Sequence, residues 1–269
     1  MHIDSEVHFW KFDKSNSHPL IRSNPLLAQH YLPEQISQSL HRNGIQGCIA
    51  VAAENLEVET RFLAELAFTH PEILGVVGWT DLAHPHAVDK LQELRQYTPV
   101  KGFLYSPVKL SEPSGEVMEL LRGYQYSLDL SLGSGTDMAA LTKWIKANPE
   151  QLFILRNCGN PDTRLSPSAE WENQIRELAK NKNLYCKVSG LLTPAKGKSW
   201  KPAEFYPFLE IVFHAFGTGR LLYASDWPFL LLAGIYVQWK SLLEKFTEKY
   251  SKEDRDLFFG ENATRIYRL

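Results

Sequence analysis

The sequence lacks the features of secreted, membrane-bound and nucleic-acid-binding proteins. Its 269 residues include only three cysteines, Cys48, Cys158 and Cys186, too few and too far apart for a disulfide framework or a C-x-x-C site. Lys and Arg total 29 against 31 Asp and Glu, so the formal charge is −2 and no basic excess favours nucleic acid. The polar start at residues 1–6 is unlike a signal peptide, and the apolar stretch at 229–237 is too short to span a bilayer. We therefore expect a cytoplasmic protein without nucleic-acid or membrane partners.

What the chain does contain is a regular alternation of predicted strands and helices. Hydrophobic residues make up 44% of the sequence and charged residues 22%, as in an ordinary globular protein. Short apolar or alternating runs predict eight strands, at residues 3–9, 47–52, 74–79, 100–104, 127–131, 152–157, 184–189 and 221–226. Helical periodicity lies between and after them, at residues 33–43, 56–69, 85–97, 115–124, 136–147, 167–180, 202–216, 236–250 and 252–258.

Eight strand-then-helix units in about 260 residues indicate an α/β protein with a (β/α)8 TIM-type barrel. No composition break marks a domain boundary, so we expect one domain over residues 1–269. A doubly wound open sheet is the alternative, but no G-x-G-x-x-G motif follows the first strand to support dinucleotide binding. In a barrel the functional residues lie at the carboxyl ends of the strands, so the polar residues there are the candidates.

The first predicted strand carries three ionisable residues on one face. Asp4, Glu6 and His8 are spaced by two, and in an extended strand their side chains point the same way. Burying them is costly unless a metal, a bound substrate or a salt-bridge network compensates their charge. We interpret Asp4 as structural and expect Glu6 and His8 to be functional.

Three further strands end in candidate site residues. Asp226 follows the last strand and could act as a general base or a metal ligand, or cap the next segment. Arg156, next to Asn157 on strand six, could clamp a carboxylate, polarise a carbonyl or form an outward ion pair. Lys187 on strand seven could bind substrate oxygens or form a buried salt bridge.

Aromatic residues lie at the same strand ends, namely Trp10, Trp79, Tyr105 and Trp227. Aromatic faces suit sugar rings and planar lactones, although aromatics are also ordinary core residues. A thiol nucleophile is not expected, because the sequence places no histidine beside the cysteines.

Six blocks are spread over nearly the whole chain: IDSEVHFW at 3–10, YLPE at 31–34, GVVGWTDL at 75–82, CKVSGL at 186–191, RLLYASDWP at 220–228 and FGENA at 259–263. In this order they resemble the amidohydrolase superfamily, and within it the branch of sugar-lactone and pyrone-dicarboxylate lactonases. The resemblance implies the barrel fold and hydrolysis of a lactone, with Asp226 as the base that activates water and His8 beside it.

The resemblance also implies a metal centre, and here the sequence departs from the family pattern. Relatives usually carry His-x-His on strand one, where this chain has Glu6, and Asp-His on strand six, where it has Arg156 and Asn157. Relatives often carry Arg-His after the glycine of strand four. In this chain Gly102 and Phe103 are followed by Leu104 and Tyr105. Glu6, His8 and Asp226 could still hold one divalent metal, zinc or manganese, with Asn157 as a fourth ligand.

Some lactonases of this branch are thought to work without a metal. In that case Arg156 and Lys187 would polarise the substrate carbonyl. The substrate contacts we expect are Trp10, Trp79, Tyr105, Arg156, Asn157, Lys187 and Trp227.

Two other functions fit the same resemblance. Glu-x-His on strand one also occurs in the metal-dependent aromatic-acid decarboxylases of the superfamily, but the downstream histidine that these use is not evident in this sequence. A sugar-binding relative without activity is the third interpretation. The expected partners are a small lactone and, at most, further copies of the chain.

Overall fold

The computed structural model describes residues 1–15, 17, 19–107, 112–192 and 199–269. Eight parallel strands form one sheet in chain order, β1 to β8, which confirms the predicted (β/α)8 barrel. Their bounds are β1 Ile3–Val7, β2 Gly47–Val51, β3 Ile73–Gly78, β4 Val100–Tyr105, β5 Ser127–Leu130, β6 Phe153–Leu155, β7 Leu184–Val188 and β8 Leu221–Tyr223.

The helices surround the sheet and bury their apolar faces against it. They are α1 Pro19–Ser23, α2 Ser37–Arg42, α3 Glu57–Thr69, α4 Ala87–Leu94, α5 Gly115–Gly123, α6 Met138–Ala147, α7 Ala169–Leu178, α8 Tyr206–Phe216, α9 Tyr236–Thr247, α10 Lys252–Asp256 and α11 Asn262–Tyr267. Side-chain caps fix several of the starts: Ser114, Asp137 and Ser168 accept the backbone N–H three residues on. None of the described helices has both the length and the apolarity needed to cross a bilayer.

Backbone hydrogen bonds beyond the named strands bring the first and last strands together. The amide of Asp226 donates to the carbonyl of Glu6 over 3.0 Å, and the amide of His8 donates to the carbonyl of Trp227 over 2.7 Å. Asp226 is in the left-handed region, with φ 59°, a conformation that Asp tolerates better than most residues. The barrel closure therefore fixes Asp226 directly beside His8.

Several predicted strands are shorter than expected at their carboxyl ends, and the sixth and the eighth matter for the site. The run at 152–157 forms a strand only over Phe153–Leu155, because the chain enters left-handed φ angles at Asn157 and Cys158. The run at 221–226 ends as a strand at Tyr223. Both shortened ends turn their last residues towards the mouth of the barrel, where the candidate site lies.

Candidate active site

Glu6, His8 and Asp226 converge in the structure as the sequence predicts. One ligand-type atom from each lies within 4.8 Å of the others, and all three residues are buried. Nε2 of His8 lies 3.3 Å from Oδ1 of Asp226 and 3.8 Å from Oε1 of Glu6. The three form a candidate metal centre or acid–base site at the end of the barrel.

A backbone carbonyl fixes which ring nitrogen of His8 carries the proton. Its Nδ1 lies 2.7 Å from the backbone carbonyl of Val51, and a carbonyl can only accept, so Nδ1 carries the proton. In the neutral imidazole Nε2 is then the basic nitrogen. That nitrogen faces Asp226 and Glu6, where it can exchange a proton or bind a cation.

The two carboxylates have opposite electrostatic surroundings. Burial opposes ionisation of Glu6, but the nearby charges of Arg156 and Lys187 outweigh it and lower the pKa of Glu6 to about 2. Burial raises the pKa of Asp226, and the negative charge of Glu6 adds to the effect. Glu6 is therefore ionised, whereas Asp226 holds its proton more strongly than an ordinary aspartate does.

Arg156 binds Glu6 and fills space within the candidate metal centre. Its Nε donates to Oε1 of Glu6 over 2.5 Å, its Nη2 pairs with the same oxygen, and Nη2 lies 3.4 Å from Nε2 of His8. Glu6, His8 and Asp226 are residue types that bind metals. A divalent ion bound to them would have to share this space with the guanidinium of Arg156. With Arg156 in this position the residues do not fit a metal.

A cavity of about 390 Å³ opens above these side chains. Its lining combines the site residues His8, Arg156, Asn157 and Asp226 with apolar and small residues, namely Leu20, Ala52, Ala53, Pro161, Gly190 and Phe229, and with Asn160. Of the predicted substrate contacts, Arg156 and Asn157 are therefore at the cavity. A cavity of this size accommodates a small organic substrate.

Lys187, another predicted substrate contact, has its charge held inside the barrel. Its Nζ donates to Oδ2 of Asp129 over 2.6 Å, and both side chains are fully buried. Asp129 also accepts from the hydroxyls of Ser127, over 2.8 Å, and Tyr267, over 3.4 Å. Lys187 thus forms the buried salt bridge that was one of its two predicted roles, and it is not among the described residues that line the cavity.

The predicted aromatic contacts lie behind or beside the cavity. The ring of Trp10 packs 5.5 Å from that of Phe229, which does line the cavity, and 5.1 Å from Tyr31. Trp227 also packs on Tyr31, at 5.1 Å. Trp10 thus supports the ring of Phe229, which contacts His8 edge-on at 5.2 Å.

The two remaining aromatic candidates are bound elsewhere. Tyr105 packs its ring 5.2 Å from that of Trp144, and the backbone of Trp79 forms two 2.8 Å hydrogen bonds with the hydroxyl of Thr60. Neither is among the described lining residues.

Two residues near the site were not among the predicted site residues. Ser189 donates to Oε2 of Glu6 over 2.9 Å and lies 2.7 Å from Oδ1 of Asn157. Its position two residues after Lys187, on the same face of the strand, was a usable signal. Gly190 follows in a left-handed conformation, φ 71°, and a Cβ there would lie 2.6 Å from the Cβ of Asn157. Glycine thus lets the two strand ends approach each other.

The sequence pattern of the amidohydrolase family matches residues 3–269. The chain belongs to the amidohydrolase family. This amidohydrolase is 30% identical to an L-fucono-1,5-lactonase of Burkholderia multivorans, in an alignment that covers the whole chain and 96% of the relative.

Solved structures extend the similarity to the fold. An amidohydrolase from Burkholderia multivorans with bound zinc superposes with a TM-score of 0.88 and 28% identity, covering 100% of this chain and 99% of that one. A putative 2-pyrone-4,6-dicarboxylic acid hydrolase from Pseudomonas putida shares the fold, with a TM-score of 0.76, 17% identity and coverage of 99% and 97%.

Proposed function

We propose that this amidohydrolase hydrolyses a small lactone and that this lactone is an aldonolactone. The observation that carries the proposal is the pairing of Asp226 with His8, 3.3 Å apart at the floor of a substrate-sized cavity. The full-length similarity to an L-fucono-1,5-lactonase supports the same reaction class.

Asp226 is the general base of the proposed reaction. Its carboxylate takes a proton from a water molecule placed beside His8, and the water oxygen forms a bond to the lactone carbonyl carbon. The tetrahedral intermediate then breaks the bond between that carbon and the ring oxygen. The ring oxygen takes the proton back from Asp226, and the product is the open hydroxy acid.

His8 holds the attacking water beside this base. Because the carbonyl of Val51 accepts the proton of Nδ1, the neighbouring Nε2 is an acceptor, and it can bind the water next to Asp226. Burial raises the pKa of Asp226, which makes the carboxylate a stronger base than an exposed one.

The charge of the cavity favours a neutral lactone over a pyrone dicarboxylate. Among the described lining residues Arg156 is the cation, and Glu6 already pairs with it. A dicarboxylate would bring two negative charges close to Asp226, and the charge of Arg156 is already balanced by that of Glu6. A sugar lactone needs hydrogen-bonding groups instead, which Asn157 and Asn160 provide.

We place the reaction in the cytoplasm, since Cys48, Cys158 and Cys186 are all free thiols. The metal that the family resemblance implies, zinc or manganese, has no step in this scheme.

A substrate screen tests the proposal. The purified protein is assayed by pH indicator with L-fucono-1,5-lactone and D-glucono-1,5-lactone, beside 2-pyrone-4,6-dicarboxylate and dihydroxybenzoate. Asp226→Asn should lower kcat by about 10²–10⁴-fold while the circular dichroism spectrum is unchanged. Asp89→Asn, on the exposed face of α4, is the matched control and should keep full activity.

Each contrary result would change a different part of the proposal. Release of carbon dioxide from dihydroxybenzoate without lactone hydrolysis would support the decarboxylase instead. Binding of lactones without turnover would support a non-catalytic sugar-binding protein. Full activity of Asp226→Asn would remove Asp226 from the mechanism.

A further inference from the structure

A cation already lies among the three side chains that could bind a metal, and it is the guanidinium of Arg156. Two of its nitrogens, Nε and Nη2, donate to Oε1 of Glu6. Nη2 also lies 3.4 Å from Nε2 of His8. The donor atoms of Glu6 and His8 therefore face N–H groups of a fixed positive charge.

A metal and this guanidinium cannot share the site. Zinc binds nitrogen and carboxylate oxygen at about 2.0–2.2 Å. Oε1 of Glu6 and Nε2 of His8 are 3.8 Å apart, so an ion bound to both would lie between them. Nη2 of Arg156 pairs with the first of these atoms and approaches the second, so it takes up the same space and would repel a second cation.

Arg156 has donors left over for a substrate. A guanidinium has five N–H groups, and the contacts of Arg156 with described residues use Nε and Nη2. The side chain lines the cavity and is 9% exposed, so Nη1 is available to a bound molecule. Asp226 lines the same cavity, which places the base and these donors on one substrate.

The geometry points to Arg156 as the built-in cation of this site, which excludes a divalent metal and donates from Nη1 to the lactone carbonyl oxygen. The catalytic half of this inference rests on the proposed lactone hydrolysis; the exclusion of metal does not. As water attacks, negative charge develops on the carbonyl oxygen, and a preorganised guanidinium stabilises it. Glu6 orients the guanidinium through the two contacts to its Oε1, and Ser189 holds Glu6 through its Oε2.

Zinc titration of the purified wild-type protein tests the exclusion directly. We expect no stoichiometric binding of zinc chloride by calorimetry and no zinc in elemental analysis after dialysis. In Arg156→Ala the guanidinium is gone, and Glu6, His8 and Asp226 should bind one equivalent. Arg176→Ala removes an arginine that pairs with Glu172 on the surface of α7, and as the matched control it should bind no more zinc than the wild type.

Two zinc results would overturn the inference. One is a full equivalent bound by the wild type and lost in Glu6→Gln. The other is failure of both the wild type and folded Arg156→Ala to bind zinc, since Arg156 would then not be what keeps the metal out. Should Arg156→Ala not fold, the wild-type titration still decides between exclusion and binding.

Kinetics tests the donor role separately. With L-fucono-1,5-lactone as the probe, Arg156→Ala should lose about 10²–10³-fold in kcat, the usual effect of removing an oxyanion donor. Guanidinium chloride added at non-denaturing concentration should restore part of this rate, and Arg156→Lys should keep part of it. A purely structural arginine would show no rescue by the free ion, and that result would overturn the donor role.

The two proposals fail in different ways. If the wild type hydrolyses no lactone, the proposed function is wrong, and the zinc titration still decides whether Arg156 occupies the cation position. If lactones are hydrolysed but EDTA abolishes the activity, the function stands and the built-in cation is wrong.

Discussion

Among the described residues, the buried ion pairs Lys187–Asp129 and Arg156–Glu6 differ in what surrounds them. Lys187 and Asp129 are fully buried, and Asp129 also accepts from the hydroxyls of Ser127 and Tyr267. Arg156 and Glu6 lie at the cavity, and the arginine keeps donors for which the described residues supply no acceptor. The first pair is closed on itself, whereas the second is open to a ligand.

The difference teaches which buried charges to regard as functional. A fully satisfied pair in the interior offers nothing to a substrate, whatever its residue types. A pair with donors directed into a cavity can stabilise charge that develops in a reaction. Lys187 and Arg156 both lie at predicted strand ends, and only their partners separate the two roles.

Substitution of the closed pair should have the largest effect on stability. Lys187→Met leaves Asp129 buried without its cation, which should cost about 3–5 kcal/mol in the free energy of unfolding. Urea denaturation measures this loss. The variant molecules that remain folded should hydrolyse lactone at close to the wild-type rate, because the lysine is not at the cavity.

A double variant serves as the control for this prediction. Lys187→Met combined with Asp129→Asn removes both charges and keeps an amide that can bond the neighbouring hydroxyls, so most of the lost stability should return. A double variant as unstable as Lys187→Met alone would show that the loss is one of packing rather than of an unpaired charge.

The open pair should respond less in stability and more in activity. Ser189→Ala removes a hydrogen bond to the charged Glu6, at a cost of about 1.5–3 kcal/mol. Because Glu6 orients the guanidinium of Arg156, we expect kcat to fall together with the stability. Ser127→Ala, which removes the corresponding hydroxyl from the closed pair, should leave kcat unchanged. Equal kcat values in the two variants would contradict the distinction.

The smallest expected effect is a shift in pH dependence. Asp226 works as a base only when deprotonated, and burial raises its pKa, so activity should rise with pH through a value above the ordinary aspartate range. The positive charge of Arg156 lowers the pKa of Asp226 and so partly offsets the effect of burial. In Arg156→Ala the acid limb of kcat/KM should therefore move to higher pH, whereas in Lys187→Met it should stay in place. A shift in the lysine variant and none in the arginine variant would reverse the assignment.

The fold was largely predictable from the sequence because strand alternation is a local property. All eight strands are where their apolar runs place them, and the errors are at ends. The short helices α1 and α11 were missed, since five or six residues show too little periodicity to recognise.

The site was predictable only in part, because partners across a barrel are not local. The spacing of Glu6 and His8 put them on one face, and the predicted strand end put Asp226 at the mouth of the barrel. Nothing in the sequence around Lys187 indicated that Asp129, 58 positions away, would take its charge. The alternation of Ser127 and Asp129 on strand five was the one available signal.

The most direct test of the account is the rate of L-fucono-1,5-lactone hydrolysis by wild-type protein that has been dialysed against EDTA and shown by elemental analysis to be free of metal. The account predicts full activity, unchanged by added zinc or manganese and lost in Asp226→Asn. Activity that disappears with the metal and returns with zinc would contradict it.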